Sequence, residues 1–132
     1  MGDFSNTIKK LKPIASLFNQ KGFVVQVTHE TWTNAATQKY AAQLASILKQ
    51  SGFNVAGPKQ ITYYIVQQSA PLEWGTSPGM INDAGLLFEA LRPIFESTEK
   101  WTKREFDKTN KTLRLHFGGS AIFKSNGIVK IE

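Results

Sequence analysis

Residues 23–52, FVVQVTHETWTNAATQKYAAQLASILKQSG, encode a strand, a polar loop and a helix in succession. The first six residues are β-branched or aromatic apart from Gln26, which is typical of a buried central strand. From Ala35 to Gln50 the apolar side chains recur on one side of a helix. Asn34 can cap the start of this helix, and Gly52 can supply the left-handed residue beyond its end. The apolar positions are Tyr40, Ala41, Leu44, Ile47 and Leu48.

A second strand, loop and helix follow the first set. ITYYIVQQ, residues 61–68, has the β-branched and aromatic content of a strand. Residues 69–83 contain two prolines and two glycines without periodicity, which predicts a long loop. We expect a helix from Ala84, capped by Asn82 or Asp83 and ended or bent by Pro93. Two such units predict a βαββαβ-like sandwich of the α+β class.

The two ends of the chain add further elements. Residues 5–20 have the apolar spacing of a helix capped by Ser5 or Asn6, with Pro13 predicting either a kink or a later start. TLRLHF, residues 112–117, alternates as a half-exposed strand does. Residues 96–112 fit either an exposed strand or a frayed helical turn. AIFK, SNG and IVKIE at the C-terminus predict a β-hairpin, and Gly57-Pro58 predicts a turn.

A chain of 132 residues fits one α/β domain spanning 1–132. We expect an N-terminal helix at 5–20, a core at 23–118 and a C-terminal hairpin at 120–132. In the core, two amphipathic helices cover one face of an antiparallel or mixed sheet of four to six strands. The N-terminal helix is an additional element beside them.

Composition excludes several functional classes. The chain contains no cysteine, which excludes disulfides, a thiolate nucleophile and cysteine-based metal sites. The longest apolar runs are far shorter than the roughly 18 residues of a membrane span. His29 and His116 are the only histidines, and no carboxylate stands at ligand spacing beside them, so we predict no metal and no cofactor. No catalytic set is apparent, and we predict a protein that is not an enzyme.

The net charge of +6 makes anionic partners plausible. Residues 100–114 hold six basic and two acidic residues beside an aromatic pair, Trp101 and Phe106. A basic surface with aromatic side chains is typical of single-stranded nucleic-acid binding, which is one alternative function. The residues that would carry it are Lys100, Trp101, Lys103, Arg104, Lys108, Lys111 and Arg114.

Each predicted core helix is preceded by a tryptophan in a polar loop. In a βαββαβ arrangement we expect these two loops to share one edge of the sheet. Tryptophan in an accessible loop is a common anchor for a partner, so this edge is the predicted binding site. Its residues are Trp32, Thr33, Asn34, Trp74, Gly75 and Thr76.

The run YAAQLASILKQSGFNVAGP, with the later AGLLFEALRPI and LRLHFGG, resembles uncharacterised α/β domains that follow transmembrane helices in bacterial membrane proteins. That resemblance implies a domain at the inner, cytoplasmic face of a membrane. An anchor outside these residues would tether it, and IKKLK would be the basic segment that follows the anchor. VVQVTHETWTN and the helix after it resemble the first half of a SPOR repeat, a βαββαβ module that binds peptidoglycan glycan strands.

These observations predict a non-catalytic binding or assembly module that recognises a protein partner or a small ligand through the loops before its two core helices. The alternatives are a single-stranded nucleic-acid binder and a SPOR-like glycan binder. We expect a cytoplasmic, membrane-associated bacterial protein.

Overall fold

The computed structural model describes residues 4–29, 35–60, 72–75, 78–94, 102–104 and 111–117. Within these ranges the chain forms three helices and five strands in an α+β arrangement, which confirms the predicted class. The helices are α1 (Ser5–Gln20), α2 (Ala35–Ser51) and α3 (Ile81–Leu91). The strands are β1 (Val24–His29), β2 (Val55–Gln60), β3 (Leu72–Gly75), β4 (Thr102–Arg104) and β5 (Thr112–Phe117).

Helix α1 runs through Pro13 instead of starting there. Proline has no N–H group, so the carbonyl of Lys9, four residues before Pro13, lacks its helical hydrogen-bond donor. Lys9 is exposed, so water can bind there. Phe4 occupies the N-cap position without a side-chain hydrogen bond, so the predicted caps at Ser5 and Asn6 are wrong. The buried face of α1 consists of Leu11, Ala15 and Phe18.

The predicted glycine end of α2 is confirmed, and α1 ends in the same way. Gly22, just beyond α1, has φ +71°, and Gly52, just beyond α2, has φ +104°. After α2, the amide of Phe53 donates to the carbonyl of Leu48 at 3.1 Å. The left-handed residue reverses the chain, so the amides beyond it satisfy the last helical carbonyls. Pro93 also acts as predicted, because α3 ends at Leu91 and continues only as a 3₁₀ turn.

The sheet is mixed, with the strand order β2-β1-β5-β3-β4. Its centre is parallel, because β1 pairs with β2 on one side and with β5 on the other. Strand β3 runs antiparallel to β5, and β4 is parallel to β3. The last described strand is therefore inserted between the two β-α-β units, β1-α2-β2 and β3-α3-β4.

Strand β2 passes through Gly57-Pro58, where the sequence predicted a turn. The pairing of β1 with β2 shifts between Gln26 and Thr28, so the extra residue forms a bulge. Gly57 has φ +100°, and a Cβ there would collide with the carbonyl oxygen of Val27. Only glycine fits this backbone position at low cost.

Residues 72–75 and 78–83 also differ from the predicted loop. Leu72–Gly75 is a strand, and α3 begins at Ile81 after a 3₁₀ turn, not at Ala84. Asp83 lies within the first helical turn and is not the cap. Its buried carboxylate pairs with Lys21 Nζ at 3.0 Å, which joins α3 to the end of α1. Thr102–Arg104 adopts the strand alternative considered for that segment.

One hydrophobic core lies between the helices and the sheet. Helix α1 packs against both α2 and α3, and α2 packs against β1 and β2. Buried side chains of all three helices belong to the same core as Val25 and Val27 of β1. Phe18 of α1 contacts Phe23 and Phe53 edge to face, with ring centroids 5.5 and 5.2 Å away. The predicted strand at 61–68 and the hairpin at 120–132 lie outside the described residues.

Candidate binding surface

The two faces of the central strands differ in chemistry. Val25 and Val27 of β1 lie in register with Leu113 and Leu115 of β5, and all four are completely buried in the core. Alternation places the intervening residues on the other face. We call that face the polar face. Its central residues are Gln26, Thr28, Arg114 and His116.

The central residues of the polar face form two cross-strand pairs. Arg114 Nε donates to Gln26 Oε1 at 3.0 Å, and both residues are half-buried. Thr28 Oγ1 and His116 Nδ1 are joined by a hydrogen bond of 2.7 Å, and these two residues are buried. The predicted half-exposed strand is therefore correct at Arg114 and wrong at His116. A buried histidine is tolerated here because its ring nitrogen has a hydrogen-bond partner.

Register extends each pair into a row of five residues across the sheet. Paired residues of adjacent strands share a face, so both rows belong to the polar face. The first row is Ala56, Gln26, Arg114, Gly75 and Arg104. The second row is Lys59, Thr28, His116, Glu73 and Thr102.

The two histidines lie on opposite faces of the sheet. His29 is in register with Phe117 and shares the core face with Val25 and Val27, whereas His116 belongs to the polar face. They cannot converge on one metal ion or one reacting group. Among the residues described, no group of three or more histidine, aspartate or glutamate side chains is placed to hold a metal.

Two residues of the predicted tryptophan site lie in the described part of the chain. Trp74 and Gly75 lie in β3, inside the sheet, and not in a loop before a helix. Strand β1 ends at His29, in the row of Phe117 and Leu72, so β1 ends at the edge where β3 begins. Because β1 and β3 are antiparallel, their last residues lie at opposite edges of the sheet. The shared edge of the two loops stays a prediction, because residues 30–34 and 76–77 lie outside the described residues. The residues of this site that lie outside the described ranges are Trp32, Thr33, Asn34 and Thr76.

The predicted basic segment is distributed over two strands. Lys103 and Arg104 lie in β4, and Arg114 lies in β5, with β3 between them. Lys111 precedes β5 and is exposed. Lys100, Trp101 and Lys108 lie outside the described residues. The structure thus brings Arg104 and Arg114 into one row, although they are ten positions apart in sequence.

Sequence reasoning missed Gln26 and Thr28 as part of a surface. The sequence FVVQVT is almost wholly apolar, so Gln26 and Thr28, two positions apart, were not recognised as polar residues of one face. Arg114 and His116 have the same spacing in LRLHF. Matching these two patterns would have indicated a shared polar face, because side chains two apart in a strand lie on the same side.

A shallow groove between α1 and the end of α2 is a separate feature of the helix layer. Lys12, Ser16 and Gln20 line it on α1, and Ser51 lines it on α2. Asn19 Nδ2 donates to the carbonyl of Gly52 at 2.9 Å and ties the two helices together beside it. The hydroxyl of Ser51 is bonded within α2, to the carbonyl of Ile47 at 2.7 Å. The side-chain bonds of Asn19 and Ser51 therefore serve the packing and the end of α2.

The fold and the polar face define a small α+β domain with one helix-covered and one polar sheet face. Comparisons of the chain with protein-family models, curated proteins and solved structures gave no match. The resemblances to membrane-protein α/β domains and to SPOR repeats therefore stay predictions. Within the described residues, no helix has both the length and the apolar character needed to cross a bilayer.

Proposed function

We propose that this chain is a non-catalytic binding or assembly module that contacts a protein partner or a small ligand through the polar face of its sheet. The observation that carries the proposal is the segregation of the two faces. Buried side chains of α1, α2 and α3 belong to the same hydrophobic core as the apolar face of the sheet, while the polar face carries the half-buried Gln26 and Arg114 pair. Polar side chains held in place at a half-buried site are suited to recognition, because little freedom is lost on binding.

The placement of the histidines favours binding over chemistry. His29 and His116 are separated by the sheet, and His116 Nδ1 is already engaged by a buried hydroxyl. General acid–base catalysis requires the group to reach a substrate proton within hydrogen-bond distance. His116 is only 2% exposed, which favours a structural role for this side chain.

Photo-crosslinking tests the proposed surface directly, because the chain has no cysteine of its own. Ala56→Cys introduces a thiol on the polar face, and Ala42→Cys introduces a matched thiol on α2; both alanines are exposed. Each variant is labelled with a benzophenone maleimide and irradiated in an extract of cells that make the protein. We expect discrete adducts from position 56 and none from position 42. Equal adducts from both positions, or none from either, would contradict the proposal.

A second candidate function is binding of single-stranded nucleic acid. The observation that favours it is the placement of basic residues in β4 and β5, on both sides of β3. A phosphate backbone bound there should release counterions, so affinity should fall steeply with salt. We expect binding of a dT oligonucleotide to be lost in Lys103→Glu/Arg104→Glu and retained in Lys39→Glu on α2. Indifference to salt and to the double substitution would remove this candidate.

The proposal includes association with a bacterial membrane. Its support is α1, whose Lys9, Lys10 and Lys12 are all exposed and which contains no acidic residue. Basic side chains next to a membrane are attracted to anionic lipid headgroups. Vesicles with and without phosphatidylserine test this: cosedimentation should require the anionic lipid and should weaken in Lys9→Gln/Lys10→Gln/Lys12→Gln. Equal cosedimentation with neutral vesicles would contradict it.

A further inference from the structure

We propose that the exposed sides of α1 and α2 together form the surface that lies on an anionic membrane, so that the polar face of the sheet points away from the lipid. The proposal rests on the proposed function, because it gives an orientation to the proposed membrane association. It adds a second helix to the lysines of α1, and it fixes which side of the domain stays open to a partner.

Acidic residues are almost absent from the first half of the chain. Glu30 is the only one between Asp3 and Glu73, whereas the same stretch contains seven lysines and no arginine. The described ranges 4–29 and 35–60 therefore contain no carboxylate side chain. All seven lysines are exposed, and they are Lys9, Lys10, Lys12, Lys21, Lys39, Lys49 and Lys59.

Four of these lysines lie on two stripes of exposed residues. Exposed residues recur on α1 and on α2 at spacings of three, four and three, which places them along one side of each helix. On α1 they are Lys9, Lys12, Ser16 and Asn19. On α2 they are Lys39, Ala42, Ser46 and Lys49. We call these two stripes the lysine surface.

The lysine surface and the polar face lie on opposite sides of the domain. Helix α1 packs against α2, and α2 packs against β1 and β2. Buried side chains of both helices, among them Leu11 and Leu44, belong to the same core as Val25 of β1. The exposed stripes therefore face away from the sheet, while the polar face is the side of the sheet turned away from the core. A membrane bound at the lysine surface leaves the polar face accessible.

The charges of the lysine surface are not neutralised within the described residues. No described carboxylate lies within ion-pair distance of Lys9, Lys12 or Lys39. Lys49 Nζ donates only to the carbonyl of Gly57, at 3.5 Å. Lys9 and Lys12 are one helical turn apart, where like charges repel each other. Contact with an external anionic surface removes this repulsion.

The composition of the lysine surface favours lipid headgroups over nucleic acid. It contains no arginine to bind phosphate through two hydrogen bonds and no aromatic side chain to stack on bases. A lysine ammonium acts as a point charge, which suits a layer of mobile anionic headgroups. Neither stripe has a large exposed apolar side chain, so the contact is electrostatic and does not insert into the bilayer. Salt should therefore reverse it.

Spin labels at single cysteines test the orientation, because the chain has no cysteine of its own. Ala42→Cys places the label on the lysine surface, and Ala56→Cys places it on the polar face; both alanines are exposed. The full chain without a tag is bound to phosphatidylserine vesicles that contain a nickel-chelating lipid, which confines the relaxing ion to the headgroups. We expect faster spin relaxation at position 42 and no change at position 56.

Two lysine substitutions of the same kind test the charges. Lys39→Gln removes one charge from the lysine surface and should weaken vesicle binding about fivefold, the effect of one lysine next to an anionic leaflet. Lys59→Gln is the matched control, since Lys59 is exposed but belongs to the polar-face row of Thr28. It should leave binding unchanged, because salt screens a charge on the far side of the domain. Circular dichroism confirms that both variants are folded.

Three results would overturn the orientation. They are equal relaxation at positions 42 and 56, an equal loss of binding in Lys39→Gln and Lys59→Gln, and binding of duplex DNA that Lys39→Gln weakens while anionic vesicles are not bound. Failure of the unsubstituted chain to bind anionic vesicles would refute the proposed membrane association itself. Vesicle binding with position 56 nearer the lipid would refute the orientation alone, and crosslinking of a partner from position 56 is independent of both.

Discussion

Thr28 and His116 lie 88 residues apart in sequence and are joined by a buried hydrogen bond of 2.7 Å between Oγ1 and Nδ1. The bond links the first strand of the chain to the last described strand on the polar face. The contact depends on the parallel pairing of β5 with β1, in which Thr28 lies opposite His116. It is therefore a sensitive indicator of the assembled fold.

Replacement of Thr28 by valine tests that contact. Thr28→Val keeps the shape but leaves a buried ring nitrogen without this partner, and we expect a loss of about 1–2 kcal/mol in the free energy of unfolding. Thr112→Val, at a half-buried position of β5, is the matched control and should change stability by less than about 0.5 kcal/mol. Urea unfolding measures both. Equal effects would show that the bond is not important for stability.

The ion pair between Lys21 and Asp83 should contribute to stability. Asp83 is buried in the first turn of α3, where a negative charge also interacts favourably with the helix dipole. We expect Asp83→Asn to cost about 1 kcal/mol, a modest value because Lys21 is nearly half exposed. Glu89→Gln removes an exposed pair with Arg92 and should cost about 0–0.5 kcal/mol. Thermal unfolding measures the loss of stability in both variants. A larger loss in Glu89→Gln than in Asp83→Asn would contradict the expected contribution of the Lys21–Asp83 pair.

Two glycine-to-alanine changes should have opposite signs. Gly57→Ala places a Cβ against the carbonyl oxygen of Val27 at a positive φ, and should destabilise by about 2 kcal/mol or more. Gly85→Ala lies within α3, where a Cβ would meet nothing within 4 Å. It should stabilise by about 0.5–1 kcal/mol, since alanine is the better helix former. Denaturant midpoints measure the change in stability of both variants. A stabilising effect of Gly57→Ala would contradict the bulge geometry.

A pair of identical truncations tests the core boundary. Leu44 is completely buried in α2, whereas Leu86 on α3 is 50% exposed. Leu44→Ala should lower the free energy of unfolding by about 2–5 kcal/mol through lost burial and a cavity. Leu86→Ala should cost less than about 1 kcal/mol. Calorimetry of the two variants measures the losses. Similar losses would mean that Leu86 is buried and that α3 packs on the core through a different side.

Much of the local structure could be predicted from the sequence. The apolar spacing of α1 and α2, the β-branched content of β1, the alternation in β5, and the glycines at 22 and 52 all act within a few residues. The same reasoning failed for Leu72–Gly75, because LEWG lies among prolines and glycines and has no strand pattern of its own. Pairing with β5 and β4 makes it a strand.

The candidate site was harder to predict than the elements that carry it. The sequence indicated Arg104, Arg114 and Gly75 separately, two in a basic segment and one in a loop. Their shared row depends on the register of β3, β4 and β5, which no local pattern specifies. The relative direction of β1 and β3 is likewise a property of the whole sheet.

By itself the amino-acid sequence determined where α1, α2, β1 and β5 form and where glycine ends the first two helices, because helix periodicity and turn chemistry depend on neighbouring residues. The tertiary structure determined the insertion of β5 between β1 and β3, the burial of His116 beside Thr28, and the separation of His29 from it. Those features depend on strand order and register, in which each contact joins residues far apart in the chain, and a one-residue shift would move every side chain of a strand to the other face.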